Sequence, residues 1–254
     1  MSIDTIQARP NTSRWIKSFH GHAAPQTRLF CFHYAGGSAT MFRDWPAHLP
    51  SHVGVEAVLL PGRDNRMREK PIDRMDLLVE AIVEAMRPRL DRPYALFGYS
   101  MGAQVSFNVA HGLAAAGLPP PSTLFVAASP GPSEEREVPA WDKPDEHLVE
   151  YLVAMGGTPP KLLNDAGWLE LILPTLRADL TAVATCAYAA RPPLPMPIHA
   201  FGGEQDESAS PALMASWRKE TTGRFTQTSL PGEHFFITAQ LPALLAAVSA
   251  NLPA

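Results

Sequence analysis

The stretch ALFGYSMGAQ (residues 95–104) decides how the rest of the chain is read. An apolar run leads into Gly98-Tyr99-Ser100-Met101-Gly102, and a helical pattern follows. A serine between two glycines, where a strand turns into a helix, is the setting of a nucleophile elbow. Glycines lack Cβ atoms, so strand and helix can approach closely around the serine. The helix would point the positive end of its dipole at a reacting atom. The same spacing also suits a plain strand-to-helix turn with a serine N-cap, so the surrounding chain has to decide.

Outward from the elbow, short apolar runs alternate with helical patterns. RLFCFH (28–33), VGVEAVLL (53–60), YALFG (94–98), STLFVAA (122–128), PIHAFG (197–202) and RFTQTSL (224–230) read as strands. Met75, Leu78, Ile82 and Met86 recur at helical spacing over 74–87, with Pro88 closing that helix. A second helix opens after Ser100, with Gly117 as its C-cap. Strands separated by helices need crossovers, which implies a mostly parallel sheet. Runs that are apolar throughout fit strands buried on both faces. Residues 1–27 are polar and proline-interrupted and read as a loose lead-in. Residues 129–196 hold no strand pattern. They combine a turn-rich charged opening, a helix over 145–155 stopped at Gly156-Gly157, and a helical stretch over 165–190 that Pro174 is expected to kink. The expected fold is α/β: one domain over 1–254, with 129–196 as a helical insertion over one end of the sheet.

The 254 residues are 46% hydrophobic, enough for a sizeable core, and the formal net charge is −4. That charge argues against nucleic acid or an anionic membrane as a partner. Cys31 and Cys186 read as buried thiols of a reducing compartment, with no metal-ligand spacing around them. MSIDTIQARPNTSRWIK lacks the apolar core of a signal peptide. No apolar run approaches the ~18 residues of a membrane span. A cytoplasmic protein without metal or resident cofactor is expected.

A serine nucleophile needs a base, and the base needs an orienting carboxylate. In α/β hydrolases the chain order is Ser, acid, His. The loop after PIHAFG offers Glu204 and Asp206, and the loop after RFTQTSL offers His234. Both loops leave the carboxyl ends of strands, where ligands bind in open α/β sheets. Loop length favours Asp206 only weakly. His20, His22, His48, His52, His111, His147 and His199 do not occupy the required place in the chain. The residue after the serine supplies one oxyanion donor, the backbone N–H of Met101, and the loop His33-Tyr34-Ala35-Gly36-Gly37-Ser38 is expected to supply the second. Without a following Lys-Ser/Thr pair, that loop does not read as a phosphate cradle.

Taken in order, YAGGSA, LLPGR (59–63), LFGYSMGA (96–103), LPTLRADL (173–180), GGEQD and PGEHFF resemble the type II thioesterases. These are stand-alone α/β-hydrolases that accompany modular polyketide and nonribosomal peptide synthetases. The resemblance covers roughly residues 28–250. It implies hydrolysis of acyl groups from the phosphopantetheine arm of an acyl or peptidyl carrier protein, so phosphopantetheine arrives with the substrate. It further implies a triad of Ser100, Asp206 and His234, an oxyanion hole from the N–H groups of Ala35 and Met101, a helical lid over 129–196, and a monomer. Tyr34 and Tyr99 stand where the family often carries histidine. Neither is a triad position, so both are expected to bind substrate and shape acyl preference. The same triad would also serve an acyltransferase or an ester hydrolase. Arg63, Arg66, Arg68 and Lys70 form a basic cluster, read either as a solvated loop or as a contact for an acidic carrier.

Overall fold

The computed structural model describes residues 14–19, 25–134 and 138–252. A seven-stranded sheet forms its centre, in the order β1-β3-β2-β4-β5-β6-β7. The strands are β1 (Ile16–Phe19), β2 (Thr27–Phe32), β3 (Val53–Val58), β4 (Tyr94–Tyr99), β5 (Leu124–Ala127), β6 (Ile198–Gly203) and β7 (Phe225–Leu230). β1 pairs antiparallel with β3, and every other pairing is parallel. The fold is that of an α/β hydrolase.

Strands β3 to β6 are buried along their whole length, which is why they read as unbroken apolar runs. The helices are α1 (Met75–Met86), α2 (Met101–Ala115), α3 (Asp145–Met155), α4 (Pro160–Leu163), α5 (Ala166–Ala184), α6 (Pro211–Met214), α7 (Phe236–Ala239) and α8 (Leu241–Ser249). On one face of the sheet, Leu78 and Ile82 of α1 join Phe107 and Leu113 of α2. On the other, Leu244, Leu245 and Val248 of α8 join Phe42, Trp45 and Phe97. Gly117, at φ +64, follows the end of α2, where its N–H donates to Ala114 O. Among the described residues, no helix is long and apolar enough to cross a membrane.

Two expectations change. The lead-in contains β1, held to β3 by backbone pairing and by the Ser18 hydroxyl donating to buried Glu56 at 2.6 Å. His20 and His22 lie outside the described residues. α5 includes Pro174 within its length, and Leu173, Thr175, Leu176, Asp179 and Leu180 around and beyond it are buried. α5 also stops at Ala184 and not near residue 190. There the chain turns back to α2, where Arg191 lies over the Phe107 ring and donates to Asn108 at 2.7 Å.

β3 lies on one side of β2 and β4 on the other, so the connections reverse direction between β2 and β4. The loops leaving those two strands carry Ala35 and Ser100. Such a reversal is where open α/β sheets place ligands. Helices α3, α4 and α5 fall between β5 and β6, with a small apolar cluster of their own around Leu148, Leu173, Leu176 and Leu180.

Candidate active site

The elbow is built by close approach. A Cβ on Gly98 would sit 2.2 Å from Gly102 O, and a Cβ on Gly102 would sit 2.1 Å from Phe32 O. Those neighbours are backbone and cannot yield, so glycine is required at both positions. Ser100 between them has φ +54 and ψ −116, a conformation L-residues seldom adopt. Ala128, next to it at the end of β5, is also at positive φ, +51. Strain of this kind clusters at functional sites, where the surrounding structure enforces it. Met101 opens α2, so its N–H is among the N-terminal amides that have no acceptor within the helix.

Ser100, His234 and Asp206 meet across 134 and 28 residues of chain. The Ser100 hydroxyl lies 3.0 Å from His234 Nε2, and His234 Nδ1 lies 2.9 Å from Asp206 Oδ2. With Nδ1–H donating to the carboxylate, Nε2 faces the serine as an acceptor. Asp206 is buried, whereas Glu204 is exposed. Burial pushes the Asp206 carboxyl up, but bonds from His234, Ser208 and the Ala209 amide outweigh it and hold the group below its ordinary value. Asp206 therefore stays ionised opposite the imidazole. A close approach also places the His234 loop, since a Cβ on Gly203 would lie 2.5 Å from Gly232 O.

One contributor escaped the sequence reading. The Ser208 hydroxyl donates to Asp206 Oδ1 at 2.6 Å and lies 3.3 Å from His234 Nδ1. Asp206 Oδ1 also accepts the Ser208 backbone N–H at 3.0 Å, an Asx-turn of the kind loop aspartates favour, which brings the hydroxyl alongside. Tyr99 is fully buried, packs edge-on against His234 and donates its hydroxyl to the His234 carbonyl. It lines neither of the cavities at Ser100, so it braces the base from behind and does not face a substrate. Tyr34 does line a cavity, with its ring 5.0 Å from Phe235 and 6.4 Å from Tyr99.

Two cavities converge on Ser100. One, of about 170 Å³, runs past Tyr34, Leu152 of α3, Trp168 and Ile172 of α5, and Phe235. The other, of about 250 Å³, runs past Met101, Ala128, Pro130, Val138 and Val183. Ala35, Ser100, Tyr151, Met155 and His234 border both. The α5 side chains Trp168 and Ile172 thus line a pocket, whereas Leu173 and Leu176 pack inward.

The basic cluster divides. Arg63 is buried and forms a bidentate pair with Asp179 on α5. Arg66 is buried against Trp15, 4.2 Å from the ring centre, and bonds Leu59 O and Glu69. Only Arg68 and Lys70 are exposed. Two of the four cations expected to be solvated or to meet a carrier are internal ties.

A family model described as the thioesterase domain matches residues 27–252. The chain is 34% identical over 230 residues to the gramicidin S biosynthesis protein GrsT of Aneurinibacillus migulanus, covering 89% of this chain and 88% of that one. Among solved structures, the RedJ thioesterase of the prodiginine pathway in Streptomyces coelicolor superposes with a TM-score of 0.85 at 40% identity, over 90% of this chain and 87% of RedJ. The type II thioesterase BorB of the borrelidin cluster gives 0.85 at 34% identity, over 94% and 98%. On a match that spans nearly its whole length, this chain belongs to the thioesterase family, within its type II members, and is a hydrolase acting on thioesters.

Proposed function

We propose that this thioesterase removes acyl groups from the phosphopantetheine arm of an acyl or peptidyl carrier protein through a Ser-His-Asp triad. It would do so in the cytoplasm, within polyketide or nonribosomal peptide synthesis. His234 Nε2 takes the Ser100 proton as the serine oxygen attacks the thioester carbonyl. The N–H groups of Ala35 and Met101 stabilise the tetrahedral oxyanion, a contribution of about 3 kcal/mol per donor. Collapse expels the pantetheine thiol, which His234 protonates, and leaves an acyl-serine. Water deprotonated by His234 then attacks the acyl-serine, and as the acyl–Oγ bond breaks His234 returns that proton to the Ser100 oxygen, releasing the acid. Asp206 keeps Nδ1 protonated and stabilises the transient imidazolium.

The observation that carries this reading is the position of Ser100, 3.0 Å from His234 Nε2, where the two cavities meet. A thioester carbonyl bears an acyl chain on one side and a pantetheine arm on the other, and each needs its own passage. Relatives named for gramicidin S, prodiginine and borrelidin biosynthesis support the setting.

The test is turnover of a panel of acyl-pantetheine and acyl-carrier substrates by the wild type and by Ser100→Ala, with product analysis. Free acid from the wild type and none above background from the folded variant are expected, with fluorophosphonate labelling confined to Ser100. Retention of near wild-type rates by Ser100→Ala would refute the triad. Acyl transfer to an added amine or alcohol in place of free acid would refute hydrolysis.

A further inference from the structure

Two motifs stand outside the chemistry described so far, LLPGR (59–63) and LPTLRADL (173–180), and they meet. Arg63 from the first and Asp179 from the second form a bidentate pair, both bonds 2.8 Å, with side chains 6% and 1% exposed. The Thr175 hydroxyl adds a bond to Gly62 O at 3.0 Å.

The pair continues into the loop after β2. Gly36 N–H donates to Asp179 Oδ2 at 2.8 Å, and Arg63 Nη1 donates to Gly37 O at 3.0 Å. Tyr34 O accepts from Gly37 N–H at 2.9 Å and from His33 Nδ1 at 2.8 Å. A trans peptide is planar, with its N–H opposite its C=O. Fixing the Tyr34 carbonyl therefore fixes the direction of the Ala35 N–H. The ion pair fixes the next peptide, Ala35–Gly36, through the Gly36 N–H, and the Gly37–Ser38 peptide through Gly37 O. Gly36 itself is at φ +73 with Leu176 packed against it, so α5 presses directly on this turn.

We infer that Arg63 and Asp179 are positioning residues of the oxyanion hole, aiming the Ala35 N–H from a lid helix through the loop backbone. This inference rests on the reading of Ala35 as an oxyanion donor. A buried ion pair is weak evidence for stability, since well-packed apolar residues often replace one without loss. Apolar residues cannot, however, accept the Gly36 N–H or donate to Gly37 O.

The test compares Asp179→Asn and the double variant Arg63→Met/Asp179→Leu with the wild type. Readouts are hydrolysis of an acyl N-acetylcysteamine thioester and inhibition by an alkyl boronate that forms a tetrahedral serine adduct. The expected result is a kcat lower by about 10²-fold, the loss typical of a misplaced catalytic group, with KM little changed. Boronate affinity should fall in parallel, and the pH–rate profile should keep its shape because Ser100, His234 and Asp206 are untouched. A folded double variant with wild-type kcat and boronate affinity would overturn the inference. Hydrogen exchange on the wild type decides it even where the variants do not fold. The Gly36 amide should exchange far more slowly than exposed loop amides, and equal rates would overturn the clamp. Absence of thioester turnover in the wild type would instead overturn the proposed function, while Gly36 exchange would still decide the clamp.

Discussion

Ser100→Gly should give a protein that is inactive but more stable than Ser100→Ala. Both substitutions remove the hydroxyl and its bond to His234, so that loss cancels in the comparison. What remains is the backbone at φ +54, ψ −116. Alanine keeps the strain, worth about 1–3 kcal/mol at such positions. Glycine releases it, but gives the unfolded chain extra freedom worth roughly 0.5–1 kcal/mol. Subtraction leaves glycine ahead by up to about 2.5 kcal/mol, and by about 1 kcal/mol at mid-range. Ser100 is only half-buried, so the lost Cβ takes little packing with it. For a chain of this length each kcal/mol moves Tm by roughly 2–4 °C. Thermal unfolding followed by circular dichroism should therefore place Ser100→Gly one to several degrees above Ser100→Ala, with a matching rise in the urea midpoint. A glycine variant melting at or below the alanine variant would refute the claim that the elbow stores backbone strain.

Other perturbations test other parts of the site. Asp206→Asn should fold and lower kcat by about 10³–10⁴-fold, since an amide can donate to Nδ1 and favour the wrong tautomer; steady-state kinetics on a small thioester would show it. His33 is buried beside Arg63 and pushed down to about 4 from 6.5, first by burial and then by that cation. The unfolded chain therefore binds the extra proton first, and stability present above pH 6.5 should drain away between pH 6.5 and 4, by about 3 kcal/mol for this group. His33→Gln should flatten that slope in denaturant titrations. Gly102→Ala should prevent folding, as its Cβ would meet Phe32 O, and soluble, cooperatively unfolding material would contradict the close approach. Reversing the charge at exposed Arg68 and Lys70 should raise KM for carrier-bound acyl groups but not for small thioesters; an equal effect on both would remove these residues from carrier contact.

What could be read from the sequence follows from how local each interaction is. β4 and β5 were visible because burial on both faces leaves an uninterrupted apolar run. The elbow was visible because its steric demand is met by glycines within two residues of Ser100. β1 was not, because a four-residue edge strand has no periodicity of its own. Its partners, Val58 and Glu56, lie some forty residues away. Arg63 looked like a solvated charge because the acid that buries it stands 116 residues downstream. Tyr99 looked like a pocket residue because a side chain beside the nucleophile can point either way. Only the fold shows that it points beneath His234. The end of α5 at Ala184 carries no comparable local signal, since the chain beyond it is placed by Arg191 on Phe107 and Asn108 of a distant helix.

The contact between Tyr34 and Tyr99 has a consequence for how this sequence can change. Their rings meet edge to face, with centroids 6.4 Å apart. Tyr99 also grips the His234 backbone, and Tyr34 leans on Phe235 at the pocket wall. A histidine at one position alone would leave its neighbour shaped for a ring that is no longer there. Replacing either ring therefore disturbs the packing of the other, so the two positions are expected to tolerate change together better than singly.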